Sequence, residues 1–83
     1  MATTDVCKSF HAKQDEAVNF TNSTGKDCEI TGGSPRWPFT DGPPLPVPVS
    51  GCKTKIIHDL PNHTYTYDVK SCPTASQKSV TVP

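Results

Sequence analysis

The sequence predicts one small all-β domain of the sandwich type, stapled by disulfides. Short runs of alternating apolar and polar residues recur along the 83 residues, and turns rich in Gly, Pro, Asn and Ser separate them. The one stretch with helix-forming residues, 11–18, is short and has no apolar stripe. A chain of this length forms a single domain, 1–83, in which we expect residues 1–4 to be disordered.

Two-residue periodicity identifies the strands that face the core. Tyr65, Tyr67 and Val69 share one face of a predicted strand, and Val80 and Val82 point inward together from the last one. We expect about seven short strands, most of them in residues 18–21, 28–31, 45–49, 52–60, 64–69 and 79–82.

A proline-rich segment, residues 34–50, predicts a long loop that leads into an edge strand. Proline has no N–H group to donate to a β ladder, which confines it to edges and loops. Leu45, Val47 and Val49 alternate with Pro46 and Pro48. We therefore expect the three apolar side chains to point inward and the prolines to protect the edge from further pairing. Six of the nine prolines lie in this segment: Pro35, Pro38, Pro43, Pro44, Pro46 and Pro48.

Four widely spaced cysteines, without a CxxC pair, favour two structural disulfides over a zinc site. A core this small needs such constraints, because a short chain buries only about 60% of its unfolded surface. The spacing leaves three pairings of Cys7, Cys28, Cys52 and Cys72 open. Disulfides persist in oxidising compartments, so we expect a periplasmic or extracellular protein. The alternative is a cytoplasmic chain with reduced cysteines.

Charge and motifs exclude several classes of function. The 8 basic and 8 acidic residues cancel, without a basic patch for nucleic acid. No apolar run approaches the roughly 20 residues of a membrane-spanning helix. GxSxG, HExxH, P-loop and paired-carboxylate patterns are missing from the sequence. His58 and Asp59 are neighbours on a predicted strand and would point to opposite faces. We expect a monomer that is not an enzyme and has no cofactor. The sequence does not identify a partner, and a protein is the candidate class.

Several segments together resemble the cupredoxin family, the Greek-key β-sandwiches that include the blue-copper proteins. They are VNFTNSTGKDCEI, WPF, LPNHTYTYDVKSCP and SVTVP, and the resemblance covers Val18–Ile30 and Leu60–Pro83. It implies a cupredoxin-like fold without the copper ligand set, which is two His, one Cys and a weak axial ligand. The family's ligand positions fall on Cys28 and Val69, and near Cys72 and Gln77.

The resemblance also implies a disulfide pairing. If Cys28 and Cys72 occupy two ligand positions of one metal site, their side chains lie close enough to form a disulfide, which leaves Cys7 to pair with Cys52. The same positions imply an alternative function. As thiolates, and with His63 or His58 nearby, Cys28 and Cys72 would bind a soft metal such as copper or zinc.

Arg36, Trp37 and Phe39 form the candidate binding surface, because Trp and Arg are enriched at binding hot spots. The alternative is that Trp37 and Phe39 cap a core that has few large apolar groups. The sequence thus predicts a non-catalytic extracytoplasmic binding or structural module on a copper-free cupredoxin-like scaffold. A secreted inhibitor that displays a rigid loop, with Arg36 as the contact residue, is a further alternative.

All three asparagines lie in acceptor sequons for N-glycosylation. Asn19 lies within a predicted strand, whereas Asn22 and Asn62 lie at predicted turns.

Overall fold

The structure, a computed structural model that describes residues 1–73 and 76–83, is all-β. Within the described residues there are eight strands and no helix, so none is long and apolar enough to cross a membrane. The strands are β1 (Ala2–Asp5), β2 (Phe10–His11), β3 (Ala17–Thr21), β4 (Cys28–Ser34), β5 (Leu45–Val47), β6 (Cys52–Lys55), β7 (His63–Lys70) and β8 (Gln77–Val82).

The eight strands form two sheets. The first sheet has the order β1-β3-β6, and the second has the order β2-β8-β7-β4-β5. The pairs β1–β3 and β2–β8 are parallel, whereas the other neighbours are antiparallel. Inward-facing residues of both sheets share one hydrophobic core, which is the arrangement of a β-sandwich.

Aromatic rings run through the core in edge-to-face contacts. Phe20 of β3 lies between Phe10 and Phe39, with ring centroids 5.6 Å apart in each pair. Phe39 also contacts Tyr67 of β7 at 5.5 Å, so the rings connect the two sheets. Such pairs contribute about 0.5–1.5 kcal/mol each beyond the burial of their area. The Tyr67 hydroxyl is buried without a hydrogen-bond partner among the described residues, and burial raises the pKa of this phenol.

The predicted periodicity is confirmed in the long strands. Tyr65, Tyr67 and Val69 are buried in β7, and Val80 and Val82 are buried in β8. Polar residues alternate with them on the outer face of the sheet. Burying one face of each strand is what fixes the register of the β7–β8 pair, since a slip of one residue would expose the whole apolar set.

The predicted edge strand forms, but it is shorter than expected. Leu45 and Val47 are buried and Pro46 is exposed, as the alternation requires. Val49 is 51% exposed, so the prediction that it points inward is wrong. The strand ends at Val47 because residues 48–51 form a turn, closed by the Gly51 amide donating to the Pro48 carbonyl at 2.7 Å.

Residues 1–4 were predicted to be disordered, and this is wrong for Ala2–Thr4, which belong to β1. The strand lies parallel to β3, with Thr4 opposite Phe20. Its end is held by the Asp5 carboxylate, which accepts hydrogen bonds from the Cys7 amide at 3.0 Å and the Ser23 hydroxyl at 2.8 Å. Burial raises the pKa of Asp5, but these bonds outweigh it, and the net pKa lies below the usual 3.8.

The disulfide joins Cys7 to Cys72 across 65 residues, with the Cα atoms 5.7 Å apart. The predicted pairs Cys28–Cys72 and Cys7–Cys52 are therefore wrong, and Cys28 and Cys52 are free thiols. Cys28 is only 3% exposed, and its sulfur lies 3.5 Å from the Thr24 hydroxyl inside the fold. The position of Cys28 along the chain did not determine which way its side chain points. Cys7 lies two residues after the end of β1, and its sulfur is bonded to Cys72, two residues after the end of β7.

We predict that replacing both bonded cysteines (Cys7→Ser with Cys72→Ser) lowers the free energy of unfolding by about 2–4 kcal/mol, because a long loop in the unfolded chain is no longer closed. Urea denaturation measures this loss. The control is Cys52→Ser, which removes a free thiol and should change stability by roughly 1 kcal/mol or less. A non-reduced digest in which Cys72 is bonded to Cys28 would contradict the assignment.

Candidate functional site

The proline loop, defined here as residues 35–44, connects β4 to β5, and seven of its residues are exposed. It leaves the second sheet after Ser34 and pairs with the end of β6 in the first sheet. The Thr40 amide donates to the Lys55 carbonyl at 2.9 Å, and the Ile57 amide donates to the Pro38 carbonyl at 3.0 Å. The loop thus bridges both sheets before it returns to β5.

Trp37 is the internal anchor of the proline loop. Its ring lies edge-to-face on Phe39 at 5.4 Å, and its indole N–H donates to the Asp41 carbonyl at 2.7 Å. Two glycines with positive φ make room for it: a Cβ on Gly33 would lie 2.9 Å from the Trp37 Cα, and one on Gly42 would lie 3.0 Å from the indole ring. Glycine is required at both positions because any side chain would displace the tryptophan.

Asp41 makes a second anchor toward the first sheet. Its carboxylate accepts a hydrogen bond from the buried Thr54 hydroxyl of β6 at 2.8 Å. The carboxylate also acts on Cys52, two residues earlier in the same strand. Burial raises the pKa of the Cys52 thiol above its usual 9.0, and the negative charge of Asp41 raises it further. This thiol therefore stays protonated and unreactive at neutral pH.

The structure separates the three residues of the predicted binding surface. Arg36 is exposed and belongs to the bend at the start of the loop. Trp37 is half-buried against the core, and Phe39 is only 1% exposed. The prediction that Phe39 belongs to a contact surface is wrong, because its ring fills the space between Phe20 and Tyr67. The structure instead confirms the alternative in which Phe39 is part of the core.

Sequence reasoning missed the residues that hold the loop. Asp41 and Thr54 are thirteen residues apart and carry no motif, so their contact depends on the fold. One local signal was available: Asp41-Gly42 is a dipeptide typical of turns. The exposed residues that remain beside Arg36 are Pro35, Thr40, Asp41, Gly42, Pro43 and Pro44.

The residues of the alternative metal site are not available as a set. Cys72 is bonded to Cys7, so its sulfur is not a thiolate. Cys28 is buried, while His63 starts β7 at the surface and packs edge-to-face on Tyr65. His58 was placed on a strand by the sequence, but it lies in an exposed turn and pairs with Asp15 at 3.7 Å. Among residues 1–73 and 76–83, no group of three or more His, Cys, Asp or Glu side chains converges.

The outer surface is free of deep concavities over the part of the chain that the structure describes. No family model, no curated protein and no solved structure matches this chain. The site is accordingly defined by the chain's own contacts.

We predict that Trp37→Phe loosens the proline loop. The phenyl ring keeps the contact with Phe39 but cannot donate to the Asp41 carbonyl, so the free energy of unfolding falls by about 1 kcal/mol. Hydrogen exchange at the Thr40 amide, which reports on the loop's pairing with Lys55, becomes faster. The control is Arg36→Ala, an exposed change expected to stay within about 0.5 kcal/mol. Equal effects of the two variants would contradict this role of the indole.

We predict that Cys52 alkylates slowly in the folded protein at neutral pH, because its raised pKa keeps the thiol protonated. Iodoacetamide labelling with peptide mapping measures the rate, and the rate increases only as the pH rises beyond the usual thiol range. Asp41→Asn removes the negative charge, which lowers the pKa and accelerates labelling. Asp59→Asn, at an exposed carboxyl outside this group of residues, serves as the control. Labelling that is as fast as in the unfolded chain would contradict the assignment.

Proposed function

We propose that this chain is a non-catalytic binding module of an extracytoplasmic compartment, that its scaffold is a copper-free cupredoxin-like Greek-key sandwich, and that the proline loop is its contact surface. The partner class is a protein. The observation that carries the proposal is the contrast within the loop, where exposed residues on both sides flank Trp37, Pro38 and Phe39, which are held against the core and the end of β6.

The anchoring of the loop supports a role in recognition. A segment that is already fixed in its bound shape loses little conformational freedom on binding, and this lost freedom is a main cost of association. Trp37 and Asp41 hold the loop from within. Arg36, Pro43 and Pro44 lie on its exposed side, and proline itself has few conformations to lose. Loops held by a rigid scaffold are where binding residues concentrate in proteins.

The compartment and the scaffold have separate support. The Cys7–Cys72 disulfide fits an oxidising environment, since such bonds are rare in the cytosol. The stretches that resemble the cupredoxin family, Val18–Ile30 and Leu60–Pro83, supply β3, β7, β8 and the start of β4. These strands belong to both sheets, so the resemblance extends through the sandwich and not along one hairpin.

We predict that the proline loop makes a specific, competable contact in the natural extracellular or periplasmic fraction. A photo-crosslinking residue replaces Arg36 in one variant and Lys70, an exposed residue at the end of β7, in a matched control. The expected result is a discrete adduct from position 36 that excess unlabelled wild-type protein suppresses.

Two further measurements make the test decisive. Unlabelled competitor with Arg36→Ser and Pro43→Gly, which alters only exposed loop residues, should suppress the adduct much less than the wild type does. Equal labelling from positions 36 and 70, or equal competition by the altered loop, would refute the proposal. Alkylating agent is added to whole cells before lysis, and the protein is then unfolded in the presence of the same agent without a reductant. Mass analysis should find Cys28 and Cys52 modified and Cys7 and Cys72 unmodified, because the latter two are bonded to each other.

A further inference from the structure

Two of the three sequon asparagines differ in exposure, since Asn22 is buried and Asn62 is exposed. Asn22 is 8% exposed, and its side-chain nitrogen donates to the carbonyls of Lys26 at 2.7 Å and Val47 at 2.9 Å. Its side-chain oxygen accepts hydrogen bonds from the amide and the hydroxyl of Thr24, at 3.0 and 2.7 Å. All the polar capacity of this amide is engaged within the protein.

Asn22 is therefore a structural residue. It closes the turn that follows β3 and fastens that turn to the end of β5 through Val47. A sugar on its nitrogen would replace one of the two donated hydrogens and would have to fit where the side chain is buried. The loss of a buried hydrogen bond and the steric conflict exclude a modified Asn22 from the folded state.

Asn62 has the opposite surroundings. It is exposed in the turn before β7, and its side-chain amide has no hydrogen-bond partner in residues 1–73 and 76–83. The residues beside it hold the turn in place. Leu60 is fully buried, and the Pro61 carbonyl accepts a hydrogen bond at 2.6 Å from the hydroxyl of the buried Tyr65. The turn is thus fixed, and a large group on Asn62 displaces none of the contacts that fix it.

We propose that Asn62 is an N-glycosylation site and that the folded protein carries no glycan on Asn22. The proposal rests on the extracytoplasmic location proposed above. The donor is an oligosaccharide linked to a polyprenyl diphosphate. The Asn62 side-chain nitrogen forms a bond to C1 of the first sugar, the bond between C1 and the diphosphate oxygen breaks, and the polyprenyl diphosphate leaves with the electron pair. The amide proton passes to a base of the transferase, and Thr64 completes the sequon.

The third sequon needs to be silenced in the test. Asn19 lies in the central strand of the first sheet, half-buried between Thr3 and Lys53. An Asn19→Gln background leaves only the two sequons whose surroundings differ most. The protein is secreted from insect cells in this background, and the intact mass is compared before and after treatment with a peptide N-glycosidase.

The expected result is one glycan, with Asn62 converted to Asp by the glycosidase and Asn22 unchanged. Asn62→Gln and Thr64→Ala each abolish the mass shift, whereas Thr64→Ser retains it because serine also completes a sequon. In the matched control, Asn22→Gln keeps the glycan and lowers the melting temperature, since a longer amide cannot make the same four hydrogen bonds.

Three outcomes decide the matter. Folded, secreted protein with Asn62 unmodified overturns the assignment, and so does folded protein that carries a glycan on Asn22. The disulfide state of the protein isolated from its natural source, with thiols blocked before lysis, is an independent readout: bonded Cys7 and Cys72 with an unmodified Asn62 refute the glycosylation alone, whereas reduced cysteines refute the extracytoplasmic location.

Discussion

The covalent bond between Cys7 and Cys72 joins a segment beside the first sheet to a segment beside the second. Cys7 follows β1 of the first sheet and Cys72 follows β7 of the second. Next to this bond, the Asp5 carboxylate holds the end of β1 through Cys7 and Ser23. β1 has only four residues and pairs with a parallel neighbour, an arrangement slightly less stable per residue than an antiparallel one. Its attachment therefore depends on the disulfide and on the Asp5 hydrogen bonds in addition to its ladder with β3.

A second set of contacts extends from the core to the surface. Phe39 fills the centre of the sandwich, Trp37 packs on Phe39, and the indole N–H binds the backbone of Asp41. Asp41 then reaches Thr54 in the other sheet. The proline loop is consequently an extension of the core packing, and its stiffness has the same origin as the stability of the domain. The proposed contact surface and the core packing therefore share one tryptophan, Trp37.

The sequence predicted the features that depend on local pattern. The alternation of Tyr65, Tyr67 and Val69 was sufficient to place β7 and its buried face, and the valines Val80 and Val82 placed β8. Prolines identified the edge strand, because the lack of an N–H group acts at each proline independently of the fold.

Features that depend on distant partners were not predictable in the same way. β1 consists of ATTD, which has no apolar alternation, and it is a strand because β3 provides an edge. The cysteine pairing depends on where two loops meet, and the spacing of four cysteines does not encode this. The candidate site was half predicted: its aromatic residues were recognisable by type, whereas Asp41 and Thr54 acquire their role only when the sheets are packed.

The position of the disulfide also determines how the domain would respond to mechanical force. Tension applied to the two ends of the chain would pass directly from Cys7 to Cys72 through the sulfur atoms, and the segment between them, which spans a sequence separation of 65, would carry none of it. Of the strands in the described residues, only β1 and β8 lie outside the segment that the disulfide closes. Pulling would detach these two strands, and β2 would lose its pairing partner β8, before the extension stops at the covalent bond. The proline loop lies inside the closed segment and would bear no tension.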